Sequence, residues 1–335
     1  MALLRCKMCG GTLDYDRQQN LAVCPYCGSK STVFEQDRKL FEQFQTAFAA
    51  VLNQADDQRR QQAEEGFWVE ASHEELPRED GEVIEIAYLT KRRADMCTVY
   101  VARKNVIFVF DKEFGDSAAH YREMIEQIKY PNEAMEKELS RYIPKVVTEC
   151  RLADGRQFLA IEKEAGVYPL GMLGLLMDRH VAWVVSRLEN LCCLLEYNDM
   201  VLNGFSVENL FVDPANHQIY LYGGWWFAGF RGTETAGASK SVFPYLKKGI
   251  TGQNKNQFST DLESIRLVAA KLLGCESRDE LQTVGLLPKA FENFLIHRPE
   301  QSAQADFKKW DKVLMESYGE RKFIPLSMTE EEIYS

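Results

Sequence analysis

Residues 201–213 read Val201-Leu202-Asn203-Gly204-Phe205-Ser206-Val207-Glu208-Asn209-Leu210-Phe211-Val212-Asp213. On the upstream side lie long helical stretches from Leu170 to Tyr197, and downstream the run from Leu210 to Tyr222, LFVDPANHQIYLY, is hairpin-like. Further upstream, Lys145 to Glu164 reads as a second hairpin turning at Asp154-Gly155, preceded by the helical pattern NEAMEKELSRY at 132–142. Before that come GEVIEIAYLT at 81–90, CTVYVAR at 97–103 and NVIFVFDK at 105–112, short runs rich in Val, Ile, Tyr and Phe that predict strands. Beyond Tyr222 the pattern is loop and helix, and there is no internal repeat. Strands first and helices afterwards predict an α+β domain of two lobes.

Residues 201–213 resemble the catalytic loop of protein kinases and the strand after it. That family places an Asp five residues before an Asn, the Asp receiving the substrate hydroxyl proton and the Asn holding magnesium. Asn209 matches the Asn, whereas Gly204 stands at the Asp and Leu202 and Asn203 at the preceding His and Arg. About thirteen residues past Asn209, Tyr222-Gly223-Gly224 is similar to the family's Asp-Phe-Gly motif, with an uncharged phenol at the metal-holding Asp. The turn Thr90–Thr98 has no glycine to drape over phosphates, and Phe108 falls where the family carries its phosphate-pairing Lys. Glu133 or Glu136 would correspond to that Lys's partner. Scaffold positions match better. Asp261, in Ser259-Thr260-Asp261-Leu262, resembles the Asp that caps backbone amides of the catalytic loop and is expected as a buried structural acceptor, and Arg298-Pro299 resembles the Arg before the last helix. The resemblance covers roughly 80–318 and implies a pseudokinase, since each missing part serves a different step of phosphoryl transfer. Nucleotide binding is not expected.

A separate pattern opens the chain: Cys6-Lys7-Met8-Cys9-Gly10-Gly11 and, after fourteen intervening residues, Cys24-Pro25-Tyr26-Cys27-Gly28. Two such knuckles complete a tetrahedral four-thiolate site with no position left for a reactive water. Cys6, Cys9, Cys24 and Cys27 are therefore expected to hold one structural zinc ion. Residues 4–33 resemble zinc ribbons of transcription-factor and ribosomal-protein type. Arg5, Lys7, Arg17 and Lys30 are offset by Asp14 and Asp16, which favours protein docking over nucleic acid.

The expected organisation is a zinc ribbon at 1–34, a helical linker at 35–75, a kinase-like domain at 76–325 and a frayed acidic tail at 326–335. In the linker Leu40, Phe44, Phe48 and Val51 recur on one helical face, so packing against a neighbour is expected, with homodimerisation through 38–55 as the lesser alternative. The hydrophobic fraction of 45% with 27% charged residues fits folded domains and excludes wholesale disorder. A net charge of −10 provides no general field for nucleic acid or an anionic membrane, which leaves protein partners. With no signal peptide or membrane span legible and five of nine cysteines scattered, a cytoplasmic location is expected. The dispersed histidines His73, His120, His180, His217 and His297 read as surface residues, and Lys240–Lys255 as a solvated loop. Trp225-Trp226-Phe227 is expected to plug the vacant nucleotide cleft or pack between lobes rather than form a docking patch.

The expected function is thus that of a catalytically inactive interaction or regulatory scaffold. One rival is a kinase-fold transferase rebuilt on Glu208 or Asp213 as metal ligand; another is a zinc-ribbon regulator that binds nucleic acid.

Overall fold

The computed structural model describes residues 14–16, 21–23, 30–32, 66, 68–242, 255–285, 287–319, 323–324 and 326–334. The chain divides into two compact units, Met1–Val69 and Glu70–Ser335. In the first, β1 (Asp14–Asp16), β2 (Leu21–Val23) and β3 (Lys30–Thr32) form a three-stranded antiparallel sheet. Cys6, Cys9, Cys24 and Cys27 lie outside the described residues, as do the proposed dimer segment 38–55 and residues 243–254 of the Lys240–Lys255 loop.

The second unit opens with a six-stranded antiparallel sheet ordered β4-β5-β6-β7-β9-β8: β4 (Ser72–Pro77), β5 (Val83–Ala94), β6 (Cys97–Ala102), β7 (Asn105–Phe110), β8 (Val146–Arg151) and β9 (Gln157–Glu162). Strand therefore occupies residues 72–75, which the sequence reading assigns to the linker. β6 and β7 are apolar on both sides because both sides are covered. Val99, Val101, Phe108 and Phe110 face the main core, while Tyr100, Ile107 and Val109 join Leu76, Ile86 and Phe158 in a smaller core on the other face. The β5–β6 connection is only Asp95-Met96, far tighter than the expected turn, with Asp95 in the left-handed region (φ 41°) that a short polar side chain tolerates. The β8–β9 hairpin turns at Asp154-Gly155, where Gly155 has φ 88°.

Helices α1 (Ser117–Glu126) and α2 (Glu133–Leu139) lie between β7 and β8 in the chain. The helix that directly follows β7 is α1, not the one bearing Glu133 and Glu136, both of which are exposed on α2. Ala118, Tyr121 and Met124, three residues apart, form α1's buried stripe. The helical layer is built from α3 (Asp178–Tyr197), α4 (Phe258–Leu272), α5 (Leu281–Val284), α6 (Lys289–Ile296) and α7 (Ala303–Tyr318). Short strands β10 (Tyr168–Pro169), β11 (Met200–Val201), β12 (Phe211–Asp213), β13 (Gln218–Tyr220) and β14 (Gly229–Phe230) border it, with β12 paired to both β10 and β13.

Two further expectations are corrected. The frayed tail is instead helix α8 (Glu330–Tyr334), with Ile333 buried among the main core residues. His180 is not a surface residue: it is buried on α3, where desolvation lowers its pKa. Among the described residues no helix is long and apolar enough to cross a membrane.

Candidate functional site

The site surrounds the 201–213 segment, where the sheet meets the helical layer. From the helical side, Asp261 on α4 is 3% exposed and accepts hydrogen bonds from the backbone N–H groups of Leu202 (2.7 Å) and Asn203 (2.8 Å). Burial drives its pKa up to about 7, against the opposing pull of those two amides. Asn203 sits in the left-handed region (φ 56°), and its amide donates to Asn256 Oδ1 at 2.7 Å, tying the loop to the segment before α4. The loop is thus fixed by buried polar contacts.

From the sheet side the β5–β6 turn reaches the same loop. The Asp95 carboxylate accepts from the Asn209 side-chain amide at 3.1 Å and from the Lys240 backbone at 3.2 Å, while Arg92 donates to the Glu208 carbonyl and lies over the Phe211 ring at 5.6 Å. Burial raises the pKa of Asp95 and depresses that of Arg92 to about 10. Asn209, 1% exposed, also donates to the Gly204 carbonyl at 2.9 Å, so its amide nitrogen is engaged twice within the protein while its Oδ1 has no hydrogen-bond partner among the described residues.

Gly204 is packed against backbone. A Cβ there would lie 2.4 Å from Gly224 Cα, and Gly224 has φ 88°, the left-handed conformation that glycine adopts without cost. A Cβ on Gly223 would likewise meet the Asn209 carbonyl at 2.9 Å. The Gly204 and Tyr222–Gly224 segments therefore touch directly, with no gap of side-chain size between them.

Tyr222 turns its hydroxyl to a hydrogen bond from the Glu164 backbone, and its ring packs on Phe211 (5.3 Å) and Tyr220 (5.1 Å); burial raises its pKa, so it stays an uncharged phenol. Phe108, 1% exposed in the middle of β7, contacts Tyr121 of α1 (5.9 Å) and Trp226 (5.3 Å). Tyr121 donates to the Tyr222 carbonyl at 2.5 Å. An aromatic pair thus stands where the resemblance implies a Lys–Glu ion pair, and Tyr121, not Glu133 or Glu136, faces Phe108. Trp225, Trp226 and Phe227 are all buried, with Trp226 also edge-on to Phe110 at 5.5 Å.

Glu208 and Asp213, the rival metal ligands, are placed apart in role. Glu208 lies 3.5 Å from Lys271, and both Asp213 oxygens accept from Asn216 in the β12–β13 turn. The sequence reading located Phe108, Gly204, Asn209, Tyr222 and Asp261 but missed Tyr121, Arg92 and Asp95. The three-residue recurrence of Ala118, Tyr121 and Met124 was available as a signal; the grip of Arg92 and Asp95 on residues more than a hundred positions away was not.

No family model matches this chain, and no curated protein matches it. Among solved structures the chain is similar to a structure of vaccinia related kinase 3, at 16% sequence identity and a TM-score of 0.49, over 72% of this chain and 91% of that one.

Proposed function

We propose that the second unit is a protein kinase-like domain without phosphoryl-transfer activity that acts as a protein-interaction or regulatory scaffold, joined to an N-terminal zinc ribbon. The order of sheet, catalytic-loop-like segment and helices supports the fold part of this reading. The observation that carries the functional part is the closed ground between Gly204, Asn209 and Gly224. The loop's glycine is pressed on the next segment's glycine, and the Asn209 amide nitrogen is spent on Asp95 and on Gly204's own carbonyl, while its Oδ1 has no hydrogen-bond partner among the described residues. Phosphates and their magnesium ions need room at such a place.

The test is thermal stability and heat of binding with ATP, with and without magnesium or manganese, on the zinc-loaded chain. No shift and no heat are expected. A magnesium-dependent shift that Asn209→Ala abolishes would overturn the inactive reading. For the ribbon, the short three-stranded sheet and the spacing of Cys6, Cys9, Cys24 and Cys27 support one structural zinc. Metal analysis of freshly purified protein is expected to give about one zinc per chain; a substoichiometric trace would sink that assignment.

A further inference from the structure

Helix α8 spans only five residues, Glu330–Tyr334, too short to nucleate and persist alone in water. Two things hold it. Its entry is a reciprocal cap: the Thr329 backbone donates to Glu332 Oε2 at 2.8 Å, and the Glu332 backbone donates to Thr329 Oγ1 at 3.3 Å. Its last turn is seated. Ile333 is 3% exposed, the Tyr334 ring stands edge-on to Tyr168 at 5.9 Å, and the Tyr168 hydroxyl donates to Glu330 Oε1 at 3.1 Å.

The seat lies on the short β10–β12 pair. Tyr168 lies on β10, which pairs with β12 beneath. Upstream, the approach is tied down where the His217 ring nitrogen bonds the Ile324 carbonyl at 2.8 Å and the His217 ring contacts Phe323 at 5.9 Å.

We infer that the surface around Tyr168 on β10 is a peptide-binding site for a short helix with a glutamate in its first turn and a closing Ile-Tyr, occupied here in cis by the chain's own α8. The chemistry fits that ligand class. Glu330 in the first turn meets the Tyr168 hydroxyl, which donates to it, and Tyr334 in the last turn meets the Tyr168 ring. A contact resting on one Ile and one Tyr is weak between separate molecules, with a dissociation constant of about 100 µM. Tethering supplies about millimolar effective concentration, so the seat is filled in roughly ten molecules for each one open. Release of α8 uncovers the Tyr168 ring and hydroxyl to a competing peptide. The inference stands whether or not the cleft takes nucleotide.

The experiment uses the full chain bearing Ile333→Asp, which empties the seat, and a labelled peptide spanning residues 327–335, read by fluorescence anisotropy. The variant is expected to bind the peptide at about 100 µM and the unaltered chain at least roughly tenfold more weakly. Adding Tyr168→Ala to the variant is expected to abolish binding. Equal binding by the variant and the unaltered chain overturns the proposal, as does no binding by a variant that still melts cooperatively. The double variant Glu330→Gln/Tyr334→Ala provides a milder release; if both variants lose the cooperative melt, α8 is part of the core and the proposal fails.

Discussion

Two buried regions, one on α4 and one beneath the sheet, handle charge in opposite ways. On α4, Arg266 is fully buried with Asp306 at 2.5 Å, Glu189 at 3.4 Å and the Phe294 ring at 4.1 Å, one turn from the buried Asp261. Beneath the sheet, Phe108, Tyr121 and Trp226 fill the space with aromatic rings. Burying a charge is costly unless a partner is fixed beside it. The α4 charges bring their partners in the same chain, so they persist without help. A charge at position 108 would depend on a ligand for its partner, and rings in that place ask for no counter-charge.

The largest effect is expected where that comparison is broken on the charged side. Arg266→Met leaves the Asp306 carboxylate buried without its cation and should cost about 3–5 kcal/mol, lowering the melting temperature by roughly 10 °C. Adding Glu189→Leu and Asp306→Leu should recover most of the loss; a triple variant as unstable as the single one would show that packing, not unpaired charge, is responsible.

Acid–base behaviour sharpens the contrast. Asp261 is pushed up to about 7 from an ordinary 3.8 by burial, and Glu189 and Asp95 are raised for the same reason. Groups raised in this way contribute stability below their unfolded values that is lost as pH rises toward the folded value. The melting temperature should therefore fall by roughly 5 °C between pH 5 and pH 8, and Asp261→Asn should flatten that slope while lowering stability throughout. A melting temperature that rises over the same interval would contradict the direction given for these carboxyls.

A smaller effect is expected on the uncharged side. Gly204→Asp places a side chain 2.4 Å from Gly224 and should cost about 1–3 kcal/mol through backbone displacement, with no phosphoryl transfer gained. Recovery of ATP hydrolysis by this single change would count against the closed-ground reading. Smallest of all, Lys91→Met removes the exposed pair with Glu74 at 2.6 Å and should change stability by less than about 1 kcal/mol. A larger loss would mean that the rim of the sheet is less solvated than its exposure implies.

The strands β5, β6 and β7 were legible because their apolar runs are short, β-branched and bounded by polar turns, and the β8–β9 hairpin was legible from Asp154-Gly155. Asn209 and Asp261 stood out because a motif fixes their spacing within one local segment. Helix α1 was missed where its stripe of Ala118, Tyr121 and Met124 is too sparse to outweigh the polar residues between. Helix α8 was read as frayed because three consecutive glutamates dominate its composition, although Thr329 and Glu332 carry a capping pair in plain sight. The grip of Asp95 on Asn209 depends on the closure of the sheet over the helical layer, a relation between distant residues that no window of the sequence contains.

The contact of Gly204 with Gly224 also bears on which sequences are neighbours of this one in mutational space. A carboxylate at 204 becomes tolerable only after the two segments have moved apart, and that movement requires changes elsewhere that have no use until the carboxylate arrives. Single steps toward such a site therefore lead downhill in fitness for a chain selected to stay folded. The glycine pair acts as a ratchet against a carboxylate at position 204.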